Sequence, residues 1–196
     1  MEPHLTLAEI ATLLAEDRFR AFVKHLAETC SACGEVYREA EALMKRFRHW
    51  NAEVTILEGR EADALFEKLV DRGREFATRS WMVEHDASLQ TWGVAWVALE
   101  HARRSLGEEG GAAQARDLAL LAVQIAESLG SVYHPESVAD LKALTYATAA
   151  AAERALGDFD QQLKWLGQAT TALGEGAGDF KREVVELLGL NANDAR

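Results

Sequence analysis

Proline is almost missing from this chain: Pro3 and Pro135 are the only two in 196 residues. Cysteine is as scarce, with Cys30 and Cys33 alone. Proline breaks helices by removing a backbone donor, so its scarcity leaves long stretches free to be helical. Two cysteines three apart exclude the disulfide framework of a small secreted domain. Long apolar runs are also wanting; none reaches the roughly 18 residues that a membrane span needs. Met1–Glu9 lacks a basic start followed by an apolar run, which is the pattern of a secretory leader. The expectation is a cytoplasmic protein with reduced thiols and no membrane segment.

What is present points to a folded helical chain. Hydrophobic residues make up 48% and charged residues 27%, a globular rather than a disordered balance. Ala, Leu and Glu dominate, and all three favour helix. The formal net charge is -11. Residues 1–50 carry eight acids against seven Lys/Arg, whereas the rest carries 24 against 14. So acidic a body repels a phosphate backbone, which makes nucleic acid an unfavoured partner and proteins or basic segments the favoured ones.

Apolar periodicity predicts helices throughout and no alternating strand pattern. Thr6 and Glu9 form a capping-box pair ahead of a helix over Leu7–Ala15. Asp17 is a candidate cap for a second helix to about Glu28, with Phe19, Phe22, Val23 and Leu26 at helical spacing. A third helix runs from about Gly34 to Trp50. Residues 51–80 read as helix of weaker definition, since Gly59 and Gly73 each cost about 1 kcal/mol against alanine in a helix interior. Firmer helices follow over Leu89–Leu106, Ala112–Leu129, Ser137–Leu156, Asp158–Leu173 and Phe180–Leu190. The fold class expected is all-α, with a small zinc-stapled helical domain at 1–50. A helical connector covers 51–86, and antiparallel helix pairs resembling tetratricopeptide repeats cover 87–196.

The stretch "KHLAETCSAC", Lys24–Cys33, holds both cysteines and a histidine. Zinc takes four ligands in a tetrahedron, drawn largely from Cys thiolate and His nitrogen. A CxxC turn at a helix start lets two sulfurs meet one ion, and a histidine on the preceding helix can face the same point. His25, Cys30 and Cys33 are therefore three candidate zinc ligands. The candidate for the fourth is His4, returned by the first helix, with His49 as runner-up. Other readings of the motif stay open. The thiols could pack as small apolar groups without metal, or form a redox-switchable pair. A thioredoxin-like role lacks its βαβ context, and a catalytic Cys–His pair lacks an orienting Asn or Asp.

The segment "HLTLAEIATLLAEDRFRAFVKHLAETCSACGEVYREAEALM" resembles the zinc-binding anti-sigma-factor domain. That family carries an N-terminal His or Cys, then His followed by CxxC, then an apolar helix. Here four residues separate His25 from Cys30, where the family usually has three. "ALGDFDQQLKWLGQATTAL", Ala155–Leu173, resembles the second half of a tetratricopeptide repeat. Ala149 and Ala150 stand at the close-approach places, with Leu166 and Ala169 on the inner face. Gln162 and Glu153 depart from the usual small and aromatic residues. The combination is similar to uncharacterised bacterial proteins that place an H-x4-CxxC segment before such helices.

The resemblance implies a regulatory setting. The function expected is a non-enzymatic adaptor that binds a protein partner, with a sigma factor or another transcription or signalling protein as its sharpest form. The alternative is a metal-free helical scaffold or a self-assembling protein, and the shortness of the repeat array leaves a homo-oligomer open. "KRFRHW", Lys45–Trp50, reads as a solvated basic face with Phe47 and Trp50 turned inward. Trp92 and Trp96 read as core, and His85, His101 and His134 as surface or capping groups. No Gly-rich phosphate loop and no spaced carboxylate pair occurs, so no enzymatic activity is expected.

Overall fold

The chain folds as helix joined by turns. A computed structural model describes residues 4–16, 19–47 and 51–187. Among them are ten α-helices and no strand: α1 (Leu7–Ala15), α2 (Arg20–Thr29), α3 (Ser31–Phe47), α4 (Ala52–Arg72), α5 (Phe76–His85), α6 (Trp92–Leu106), α7 (Ala112–Ser128), α8 (Pro135–Leu156), α9 (Phe159–Glu175) and α10 (Lys181–Leu187). The all-α class expected from composition is the class observed. No helix among the described residues is long and apolar enough to cross a membrane. The chain divides into two compact units, Met1–Ala64 and Leu65–Arg196, and the division falls inside α4.

In the first unit the start of α1 follows the expected capping box. The Glu9 N–H donates to Thr6 Oγ1 at 3.3 Å, and the Thr6 N–H donates to Glu9 Oε2 at 2.8 Å. Two donors left over at a helix start are thereby satisfied. Leu7, Ile10, Ala11 and Leu14 turn inward and meet Val23, Tyr37, Ala40 and Ile56 in one core. Asp17, the expected cap of the second helix, lies outside the described residues. Phe22, expected on the apolar stripe of that helix, is instead 54% exposed. The buried position on α2 is taken by Val23, with Ala27 packed beside the core.

The long segment after residue 51 is firmer than its glycines suggest. It forms two helices, α4 and α5, broken around Gly73–Glu75. Gly73 donates its N–H to Leu69 at 3.0 Å and ends α4, so it lies at a helix terminus. Gly59 is interior to α4, but a Cβ there would come within 2.8 Å of the Phe47 ring. The missing side chain is what admits the fully buried Phe47.

The second unit is built on α6–α9, each packed on the next through short connections. Short helix–helix connections make neighbours antiparallel. Trp92, Leu99, Leu121, Ile125, Leu141 and Leu144 are almost wholly buried. The Ala147–Ala152 run of α8 is mostly alanine and buried, which lets its neighbours approach closely. Pro135 opens α8 at its first turn, where its missing donor costs nothing. Thr91 and Asp158 cap α6 and α9 by accepting from Val94 and Gln161. A 3-10 turn at Ala87–Leu89 replaces the expected first turn of the helix from Leu89.

Candidate metal centre

Two turns and one cap bring the candidate ligands together. His4 lies two residues ahead of Thr6, whose capping box sets the path of the chain into α1. Cys30 lies between α2 and α3. Its backbone is extended, at φ -129° and ψ 117°, and its N–H donates to Leu26 at 3.0 Å, closing α2. Its carbonyl accepts from Gly34 at 2.8 Å, opening α3. The third helix therefore begins three residues earlier than periodicity predicts, because Cys30 itself caps it. Cys33 stands in the first turn of α3.

His4, Cys30 and Cys33 form a group whose ligand atoms all lie within 4.8 Å of one another. Cys30 Sγ is 3.3 Å from His4 Nδ1. The edge of a tetrahedral zinc site with sulfur and nitrogen ligands is about 3.5–3.8 Å, from bond lengths near 2.3 and 2.0 Å. The donor types and their spacing thus fit a metal ion with adjustments no larger than side-chain torsions supply. Both cysteines are free thiols; Cys33 is buried and Cys30 half-buried. His4 is exposed, which leaves the group open to solvent on one side.

The Cys30 thiol is held below its ordinary pKa. The Cys33 backbone N–H is the main cause, followed by the Cys33 thiol, with smaller help from His4 and the Ala32 N–H; burial opposes the shift. A sulfur at a helix start meets several inward-pointing N–H groups and the positive end of the dipole. The same placement favours the thiolate, which is the form that binds metal.

His25 is not in the group. It is exposed on α2, five residues before Cys30. Five residues turn an α-helix by about 500°, which puts positions 25 and 30 on different faces. A three-residue spacer would put a histidine at position 26, on the face that leads to Cys30. Leu26 stands there, half-buried, and its carbonyl receives the Cys30 N–H. His49, the runner-up, lies outside the described residues.

No protein-family model matches the chain, and neither the curated proteins nor the solved structures contain a match. The assignment of function therefore rests on the residues themselves.

The remaining sequence candidates have structural places. Arg46 of the basic stretch forms a two-pronged ion pair with Asp63, and Phe47 is core. Arg48, His49 and Trp50 lie outside the described residues. His85 stacks on Trp81 and bonds its carbonyl at 2.8 Å, while His101 stacks on Phe66. Trp92 and Trp96 are buried. Periodicity did not reveal a cleft of about 520 Å³ between α8 and α9, lined by Lys142, Tyr146, Leu163, Lys164, Gly167 and Thr171 among others. Its residues are spread over two helices, so no local motif announces it.

Proposed function

We propose that the protein is a non-enzymatic regulatory adaptor. Its N-terminal unit is stapled by a zinc ion, and its helical surfaces bind a protein partner. The observation that carries the staple is the convergence of His4, from the chain ahead of α1, on Cys30 and Cys33 at the α2–α3 junction. A small unit with few core residues gains much from such a tie. Three ligands from the chain leave the fourth position to His25, after α2 turns at its C-terminus, or to water. The second unit, read as two degenerate tetratricopeptide-like pairs, offers the part of the α8–α9 cleft lined by Lys142, Tyr146, Gly167 and Thr171 to a peptide segment. The resemblance of the first unit to anti-sigma-factor domains makes a sigma factor the sharpest form of the partner.

Elemental analysis of the chelator-free protein, with Cys30→Ser alongside, tests the staple. About one zinc per chain, lost in the variant, supports it. Metal-free protein that folds equally well with and without its cysteines would leave the scaffold reading in its place. Pull-down against purified sigma factors tests the partner separately. A stable complex with a different regulator alone would remove the sigma-factor form and keep the adaptor.

A further inference from the structure

Three large apolar side chains face outward where α8 turns into α9. Leu156 is 41% exposed, Phe159 63% and Leu163 65%. Phe159 and Leu163 stand one turn apart on the same face of α9. Soluble chains rarely leave such a cluster bare without a partner for it. The backbone beneath is well held. Gly157 takes the left-handed conformation at φ 81° that ends α8, and Asp158 donates its N–H to Glu153 at 3.0 Å. Asp158 Oδ1 accepts from the Gln161 N–H at 3.0 Å. A surface ordered in advance loses little freedom on binding.

Leu156, Gly157, Asp158, Phe159 and Asp160 line an open depression of about 440 Å³. It has two apolar walls and two carboxylates. Its complement is an apolar knob with a cation beside it, and Leu163–Lys164, both exposed, supply that on the next turn of the same helix. A closed two-fold contact requires that where one residue meets another, the reverse contact also occurs. Two α9 helices crossing antiparallel near Gln161 meet that condition. Phe159 then faces Leu163 of the second copy, and Lys164 lies on the flank that meets Asp160 of that copy. Both halves of the complementary pair lie on one hairpin, which favours a second copy of this chain over an unrelated protein.

We infer that the α8–α9 hairpin is a homodimer surface, in which Leu163 of each copy fills the depression beside Phe159 of the other and Lys164 pairs with Asp160. The contact is small, so the dimer is weak and reversible.

Sedimentation velocity of the full chain over a dilution series tests this. The expected result is a monomer–dimer equilibrium that Phe159→Ser or Leu163→Ser weakens about tenfold or more. Both side chains are exposed, so helicity measured by circular dichroism stays unchanged. Lys164→Glu weakens the dimer, and adding Asp160→Lys to it restores association, because the pair is re-formed with its signs exchanged. A protein that stays monomeric at about 200 μM overturns the proposal. So does a dimer indifferent to positions 159 and 163, or a double variant no better than Lys164→Glu. A monomer that binds some other protein through Phe159 also overturns it. Zinc content is the same in every variant, which keeps this result separate from the staple.

Discussion

Cys30 Sγ lies 3.3 Å from Nδ1 of His4, although 26 positions separate them in the chain. The contact joins the chain ahead of α1 to the α2–α3 junction. Replacing His4 by Ala removes one of three converging donors. The expected loss in zinc affinity is about 100-fold or more, read by competition with a chromophoric chelator. His25→Ala serves as the comparison. It leaves the affinity within about threefold if His25 stays on the exposed face of α2, and a loss equal to that of His4→Ala would show that α2 turns to deliver it.

Position 26 offers the converse experiment. Leu26 stands one turn before Cys30 and receives its N–H. The paired change His25→Leu with Leu26→His moves the imidazole by about 100° around α2, toward the site. Zinc affinity is expected to rise about tenfold or more as a fourth protein ligand is added. Unchanged affinity would mean that position 26 does not face the ion.

Gly34 lets α2 and α3 approach closely. A Cβ there would stand 2.7 Å from the Ala27 carbonyl oxygen. Gly34→Ala must push the helices apart, at a cost of about 1–3 kcal/mol. Both the urea midpoint of the first unit and its zinc affinity should fall, because the same junction carries Cys30 and Cys33. A variant as stable as the parent would show that the junction yields freely.

Asp140 is a fully buried carboxylate on α8. It accepts from the Gly178 N–H at 3.0 Å and from the Asp179 N–H at 3.2 Å, tying down the turn before α10. Asp140→Ala leaves those donors without their acceptor and should destabilise the second unit by about 2–4 kcal/mol. Asp140→Asn keeps one acceptor oxygen and should fall between the two in denaturant titration.

Tyr146 donates to Glu127 at 2.7 Å and stacks on Trp165. Burial raises its pKa, and the hydrogen bond to Glu127 and that carboxylate's charge raise it further. The folded state therefore holds the phenol proton more tightly than the unfolded chain, whose tyrosines titrate near 10. The stabilisation is fully present below about pH 10 and drains away as pH rises beyond it. Melting temperatures between about pH 9 and 12 should fall more steeply for the parent than for Tyr146→Phe. Parallel curves would mean that the phenol ionises as readily folded as unfolded.

Much of this was legible along the chain. The Thr6–Glu9 box, the Pro135 start and the Gly157 stop are local signals, readable because each acts within one turn of backbone. The helical bounds of α6–α9 follow from apolar spacing, with errors of a few residues at ends that caps decide. The weakness read from Gly59 and Gly73 has two different outcomes, since the cost of a glycine in isolation says nothing of Phe47 packed against Gly59 or of a helix ending at Gly73. His25 is nearer to Cys30 in sequence than His4 is, yet the group that converges among the described residues is His4, Cys30 and Cys33.

The sequence by itself determined the helical class and the pairing of two thiols at a helix start, since composition, periodicity and CxxC spacing act over a few residues. Only the tertiary structure decided which histidine stands beside those thiols, because α1 must fold back before residue 4 can approach residue 30. It also decided that Phe159 and Leu163 face outward. Their spacing suits burial, and whether a helix face is covered depends on what packs against it: α10 packs on α8, and Phe159 and Leu163 remain exposed.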